Sequence, residues 1–341
     1  MSPGRRRYDE EDVRVRPNPR GSRPRSKERP RHEDAVLGRV TAVDRGRYTT
    51  LVRAGDQPRT VLAMKARELA RKGVVVGDQV ALVGDTSGAV DTLARIVRIE
   101  ERESVLRRTA DDTDPVERVI VANADQLVVV TALINPQPRP RLIDRCLVAA
   151  YDAGLDPLLV LTKSDLADPE DFLRDYTPLE VPYVVTSSKT PGGFTGLDQV
   201  RARLHDRVSV FVGHSGVGKS TLVNALVPSA DRATGQVNDV TGRGRHTSTS
   251  AVALALPDGG WVVDTPGIRS FGLAHVDLAR IITHFPDLEP GTADCPRGCT
   301  HDEEECALDA WVAAGRAGPA GASRLDSLRR LLRARGQQSE D

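Results

Sequence analysis

The 341-residue sequence offers no net charge to argue from, because forty-eight lysines and arginines balance forty-eight aspartates and glutamates. Overall charge therefore speaks neither for nor against nucleic acid. No run of eighteen apolar residues occurs, which excludes an ordinary membrane-spanning helix. The first residues lack the apolar stretch of a signal peptide, so a soluble, cytoplasmic protein without a membrane partner is expected. Four cysteines in a chain this long do not make a disulfide framework. Three of them, Cys295, Cys299 and Cys306, fall within twelve residues, which points to metal instead. Two or three domains with ample buried core fit the length.

Charge that is absent in the sum is present in the distribution. Residues 1 to 33 hold eleven basic and six acidic residues, many prolines and almost nothing apolar. Such a stretch buries too little surface to offset its ordering entropy, so residues 1–34 read as a disordered basic arm, either inert or RNA-touching. Residues 35–105 carry five or so short β-rich segments, the first two joined by a turn at Arg45-Gly46. A small barrel of the oligonucleotide-binding (OB) kind is the natural candidate, with Arg39, Arg45, Arg47 and Tyr48 available to a nucleic-acid face.

From residue 117 the rhythm changes. "DQLVVVTAL", "DPLLVLTKSD", "VPYVVTSSK" and "VSVFVGHSG" read as buried strands, and "PRLIDRCLVAAYDAGL" as an amphipathic helix carrying Cys146 in its core face. Continuous Val, Leu and Ile strands alternating with helices indicate a mostly parallel α/β sheet covered on both faces over 117–274. Ligands on such sheets bind at the carboxyl ends of the strands, where these loops would gather. Residues 275–341 turn helical and end in "ASRLDSLRRLLRARG".

"GHSGVGKS", Gly213 to Ser220, matches the phosphate-loop pattern and sits between a strand and the helix "KSTLVNALV". Gly213, His214, Ser215, Gly216, Val217 and Gly218 would turn backbone N–H groups onto phosphate oxygens, and the helix dipole would add to them. Lys219 would reach the β- and γ-phosphates, Ser220 would hold magnesium, and Thr221 follows in the same turn. Asp264 of "DTPG" ends a strand and can hold magnesium through water, while the N–H of Gly267 can meet the γ-phosphate.

"TKSD", Thr162-Lys163-Ser164-Asp165, decides the base. The Asp165 carboxylate accepts both N1–H and N2–H₂ of guanine, whereas adenine offers no such pair. Lys163 can lay its stem over the ring. Asn is commoner where Thr162 stands, and a hydroxyl cannot make the same amide contacts. "TSSK", with Ser187, Ser188 and Lys189, reads as the loop whose backbone meets guanine O6. Between phosphate loop and DTPG, "TGRGRHTSTSA" takes the place of a mobile switch in which Thr247 or Thr249 would complete magnesium coordination and cover the γ-phosphate. Many relatives of such a domain carry Gln directly after the switch-two Gly, but this chain carries Ile268. Intrinsic hydrolysis is therefore expected to be slow, with His246 supplied as the missing group once the switch is ordered.

Cys295-x₃-Cys299-x-His301-x₄-Cys306 forms a Cys₃His set, the closed tetrahedral arrangement of one structural zinc. Its removal would be expected to loosen the C-terminal module and spare the nucleotide domain.

The order along the chain is base element, second base loop, phosphate loop, switch one, switch two. That describes a circularly permuted P-loop GTPase domain with an OB-like β-barrel ahead and a helical zinc module behind. Together with "GRGRHTST" and the zinc spacing, residues 35 to 335 closely resemble the ribosome small-subunit-dependent GTPase A (RsgA) family. The family's zinc gaps are usually each one residue longer. The resemblance implies GTP/GDP and Mg²⁺ as cofactors, and a factor acting late in maturation of the small ribosomal subunit. It would bind that subunit's rRNA, help release other assembly factors and work as a monomer. Two other classes stay open on the residues alone, namely a regulatory GTP-binding protein unrelated to the ribosome and an RNA-binding scaffold with negligible hydrolysis.

Overall fold

Strand Val36–Asp44 (β1) turns at Arg45 and Gly46, whose φ angles are 44° and 83°, into Arg47–Val52 (β2). Two consecutive positive-φ residues give the turn whose twist matches that of a hairpin. Arg59–Lys65 (β3), Gln79–Gly84 (β4) and Ala94–Ile99 (β5) follow. β1 pairs with both β2 and β4, and β3 pairs in parallel with β5, so the five strands close on themselves. Alternate residues point inward, as strand geometry requires. Val40, Tyr48, Val52, Val61, Ala63, Val80, Leu82, Ala94 and Ile96 fill the barrel. Tyr48 is thus core rather than a nucleic-acid contact, and Arg39 is half-buried, while Arg45 and Arg47 are exposed. Arg102 grips the fully buried Asp78 with two nitrogens at 2.7 and 2.9 Å and fastens the chain leaving the barrel.

This computed structural model describes residues 32–53, 57–69, 72–109, 117–228, 251–265, 273, 276–277 and 280–336. The arm up to residue 31 lies outside them, as do His246, Thr247, Thr249, Gly267 and Ile268.

A hairpin of Val105–Arg108 (β6) and Arg118–Ala122 (β7) leads into the second sheet. There Gln126–Ala132 (β8), Asp156–Thr162 (β9), Tyr183–Val185 (β10), Val208–Val212 (β13), Val252–Ala255 (β14) and Trp261–Asp264 (β15) lie in the order β10-β9-β8-β13-β15-β14. The first five run parallel and β14 runs antiparallel. Ala42 of β1 pairs with Val252 of β14, so barrel and sheet share one ladder. Two further strands, Ser187–Thr190 (β11) and Gly193–Thr195 (β12), form a small hairpin at the sheet's edge. "VPYVVTSSK", read as one strand, therefore breaks after Val185, and its second half turns away.

The apolar runs serve two faces in alternation. Leu127, Val129, Leu159, Leu161, Val210 and Val212 enter one core; Val128, Val130, Leu158, Val160 and Phe211 enter the other. Each such burial contributes roughly 1.5–3 kcal/mol. The helix Pro140–Ala153 (α1) begins with proline at its first position and stops at Gly154, whose φ of 68° few other residues adopt cheaply. Short helices follow at Glu170–Arg174 (α2), Leu197–Leu204 (α3), Lys219–Leu226 (α4) and Ala307–Ala313 (α5), and the chain closes with Gly321–Gly336 (α6). Phe285, Leu288, Leu308, Leu325, Leu328 and Leu331 share a core with Ile143 and Leu147 of α1, so the C-terminal module has no separate core of its own.

Candidate functional site

The phosphate loop runs from the end of β13 into α4. A Cβ on Gly213 would lie 2.5 Å from the Val130 carbonyl oxygen, so only glycine lets the loop leave the sheet this closely. Gly218 adopts φ 95° at the start of α4, a conformation strained for any side chain. Lys219 stands at the first turn of that helix, and its ammonium pairs with the Asp264 carboxylate at the end of β15. Thr265 donates its hydroxyl to the Phe211 carbonyl at 2.7 Å and fixes the exit of β15 against the phosphate strand. The structure thus brings together the cation meant for phosphate and the carboxylate meant for magnesium, from elements forty-five residues apart. His214 keeps a pKa below the usual histidine value, first through burial and second through the Arg139 charge. Its Nε2 is buried with no acceptor among the described residues.

The base element arrives from the neighbouring strand end. Thr162 is buried, and its hydroxyl donates to the Val217 carbonyl at 2.5 Å, with the Thr131 carbonyl at 3.3 Å. Here the hydroxyl braces the phosphate loop. Lys163, at φ 62°, sends its ammonium to the Gly216 carbonyl at 2.9 Å and to the Asn135 carbonyl. Asp165 accepts a hydrogen bond from the Ser187 hydroxyl at 2.5 Å, and Ser187 Oγ in turn accepts the Lys189 N–H at 3.1 Å. The Ser164 N–H reaches the Thr186 carbonyl at 3.2 Å. "TKSD" and "TSSK" therefore meet each other, and "TKSD" meets the phosphate loop. The bracing pairs escape sequence reading because a side chain bonded to a carbonyl fifty-odd residues away leaves no local pattern. Ser188 is exposed on β11, and Ser215, Ser220 and Thr221 are exposed at the loop and first turn of α4. A nucleoside triphosphate with magnesium suits this donor set: glycine cradle, lysine, hydroxyl and carboxylate.

At the other end of the chain, the ligand atoms of Cys295, Cys299, His301 and Cys306 lie within 4.8 Å of one another. Cys295 Sγ is 3.9 Å from Cys306 Sγ and 3.6 Å from His301 Nδ1, and Cys299 Sγ is 3.8 Å from that nitrogen. A tetrahedron with Zn–S bonds of about 2.3 Å has S–S edges of about 3.8 Å, so the set fits zinc without rearrangement. The gaps of three and four residues suffice to close it. Arg329 of α6 donates to the His301 carbonyl at 2.9 Å while its other nitrogens hold Asp309, and Arg333 pairs with Asp302. The terminal helix thus clamps the metal loop. Cys146 stays apart, buried in α1, where burial pushes its thiol up to about 12.

The sequence model of the RsgA GTPase family matches residues 99–274. A Chlorobaculum parvum protein named small ribosomal subunit biogenesis GTPase RsgA is 36% identical over 296 residues, covering 83% of this chain and 94% of that protein. A Pseudomonas aeruginosa protein of the same name is 39% identical over 269 residues, covering 76% of this chain and 75% of its own. Among solved structures, YjeQ from Thermotoga maritima aligns with a TM-score of 0.63 at 27% identity, over 88% of this chain and 98% of that one. YloQ, described as a circularly permuted GTPase, aligns with a TM-score of 0.62 at 24% identity, over 91% of this chain and 98% of that one, and supports the fold alone.

Proposed function

The chain belongs to the RsgA GTPase family, and from that premise we propose that it hydrolyses GTP as a cytoplasmic, monomeric factor in late maturation of the small ribosomal subunit. It binds that subunit's rRNA, helps release other assembly factors and turns over faster when the subunit is present. The observation that carries the nucleotide half is the joining of Asp165, Lys163 and Thr162 to the phosphate loop through Ser187, Gly216 and Val217. The ribosomal half rests on the names of the relatives.

Asp165 selects guanine, and the backbone of Ser187, Ser188 and Lys189 meets O6. Residues Gly213 to Gly218 hold the phosphates, Lys219 leaves Asp264 for the β- and γ-phosphates, and Ser220 and Asp264 hold magnesium. Bound magnesium neutralises charge that develops on the phosphates. Thr247, Thr249, Gly267 and His246 complete the site from segments outside the described residues. Cys295, Cys299, His301 and Cys306 hold one structural zinc. Residues 35–105 act as the RNA-binding barrel, 117–274 as the GTPase domain and 275–341 as the zinc module. In support of the RNA role, two exposed cations, Arg47 on β2 and Arg95 on β5, flank the exposed Met64 of β3 in register. Among the described residues no helix is long and apolar enough to cross a membrane.

Turnover of GTP measured with purified small subunits, with total RNA and with neither tests this reading. Stimulation confined to the subunit supports it. Equal rates in all three sink the ribosomal assignment, and negligible rates in all three favour a scaffold.

A further inference from the structure

Where barrel and GTPase sheet meet, Leu37, Arg39, Leu51, Arg53, Gln79 and Trp261 line a pocket of about 220 Å³. That is below the size of pockets that take drug-sized ligands and suits a smaller group. Its polar lining is cationic. With the Gln79 amide presenting its oxygen, Arg39 Nε and Nη2 donate to it at 3.3 and 3.2 Å. Arg39 Nη1 is buried and finds no acceptor among the described residues. Arg53 is exposed beside it. Burial first, and the Arg53 charge second, push the Arg39 pKa below the usual arginine value, while Asp125 and Glu103 act weakly the other way. Neither arginine forms an ion pair among the described residues. Two like charges brought together in a concave, half-apolar pocket whose own lining holds no carboxylate cost free energy that Asp125 and Glu103 offset only in part, and a buried donor left unpaired adds to that cost.

We propose that this pocket is an oxyanion site that takes a phosphate group, held by Arg39 and Arg53, with the Trp261 indole as part of its apolar wall. Two guanidinium forks match the several acceptor oxygens of phosphate better than the two of a carboxylate. Gln79 fixes the first fork, leaving Arg53 free to close on the ligand. The group belongs either to free phosphate or to the phosphodiester of single-stranded RNA, and the indole stands where it reports occupancy. The site lies apart from the phosphate loop and does not depend on the reading of Asp165.

The test uses the full chain saturated with Mg²⁺ and a non-hydrolysable GTP analogue, so that the phosphate loop is filled. Inorganic phosphate and, separately, a single-stranded RNA hexanucleotide are titrated by calorimetry and by tryptophan emission. At least one is expected to bind saturably, with Arg39→Gln and Arg53→Gln each weakening it tenfold or more. Trp261→Phe is expected to remove the emission change while the heat remains. Saturation by phosphate identifies the free ion; saturation by RNA alone identifies the phosphodiester. Arg53 is exposed, so Arg53→Gln decides the matter if Arg39→Gln fails to fold. No saturable binding of either ligand, or Arg53→Gln binding both as tightly as wild type, overturns the site.

Discussion

One carboxylate oxygen of Asp165 is already held by the Ser187 hydroxyl, while the Thr162 hydroxyl donates to the Val217 carbonyl. The two residues should fail differently. Hydrogen bonds to a charged group contribute about 1.5–3 kcal/mol each, so weakening one and turning the other into a donor–donor clash on Asp165→Asn is expected to weaken GTP binding by roughly 10² to 10⁴. The same change should improve xanthosine triphosphate binding, because the new amide donor meets a carbonyl acceptor. Competition binding of the two nucleotides checks this, and wild-type protein that bound ATP as tightly as GTP would contradict it. Thr162→Val keeps shape and removes the brace, leaving the Val217 carbonyl unpaired at about 1–3 kcal/mol. GTP and GDP affinities should then fall together with no change in preference for guanine over xanthine; altered preference would mean that Thr162 reads the base. The placement of Asp165 beside Ser187 and of Lys219 beside Asp264 could be anticipated because each stands in a motif that follows a strand. The braces at Thr162, Lys163 and Ser187 could not, since a hydroxyl or ammonium seeking a distant carbonyl or carboxylate is invisible until the chain is folded.

Among elements, the parallel strands could be read because burial on both faces demands continuous Val and Leu. β14 was missed: it is four residues long, an antiparallel strand between β15 and β1, and "VALA" carries no alternation to mark it. The terminal helix was read correctly as amphipathic, but its partner was not foreseen. α6 packs its leucines into the α1 core, and Arg145 donates to the Ala334 carbonyl at 2.7 Å. This changes what zinc removal should do. Since Arg329 ties the metal loop to α6 and α6 shares its core with α1, chelation is expected to lower the stability of the nucleotide domain too. Metal analysis should give one zinc per chain, lost or weakened in Cys299→Ser. Thermal unfolding should shift as one transition, and two separated transitions would restore an independent module. The same junction buries Asp144 against Arg330, 3.1 Å apart. Burial outweighs the Arg330 charge and pushes the Asp144 carboxyl up to about 6, from 3.8. A raised folded-state pKa means that the folded chain binds the proton more tightly. This contribution is therefore fully present below pH ~4 and lost as pH rises through ~6, a swing of about 3 kcal/mol. Asp144→Asn should abolish that swing. Urea unfolding of both proteins at pH 4 and pH 7 tests it, since their difference cancels every other titrating group; a difference that does not change with pH would place Asp144 in solvent.

For the molecule as a whole, permutation decides where the chain goes after β15. In the usual order it would continue through the base-reading elements; here it passes into the zinc module, which α6 locks against α1, the helix that follows β8. Movement at the end of β15 is therefore expected to reach a module that shares its core with the GTPase sheet. Catalysis is expected to depend in the same way on what lies outside the GTPase sheet. Ile268 follows Gly267 and can neither donate to water nor accept from it, so the chain alone is expected to hydrolyse GTP at the rate of unassisted GTPases, about 10⁻⁴ to 10⁻² s⁻¹. Groups supplied from elsewhere add ~10³ to 10⁵ in such systems, which at ~1.4 kcal/mol per decade is roughly 4 to 7 kcal/mol. One loose hydrogen bond cannot supply that much, so an ordered group against the water is needed, and His246 is the candidate that ordering of the switch by the small subunit would deliver. Lys219→Ala should lose nucleotide binding outright, whereas His246→Ala should bind GTP normally and lose most of the subunit-stimulated rate. Single-turnover hydrolysis with saturating subunits separates the two effects, and wild-type speed from His246→Ala would assign the missing group to another residue.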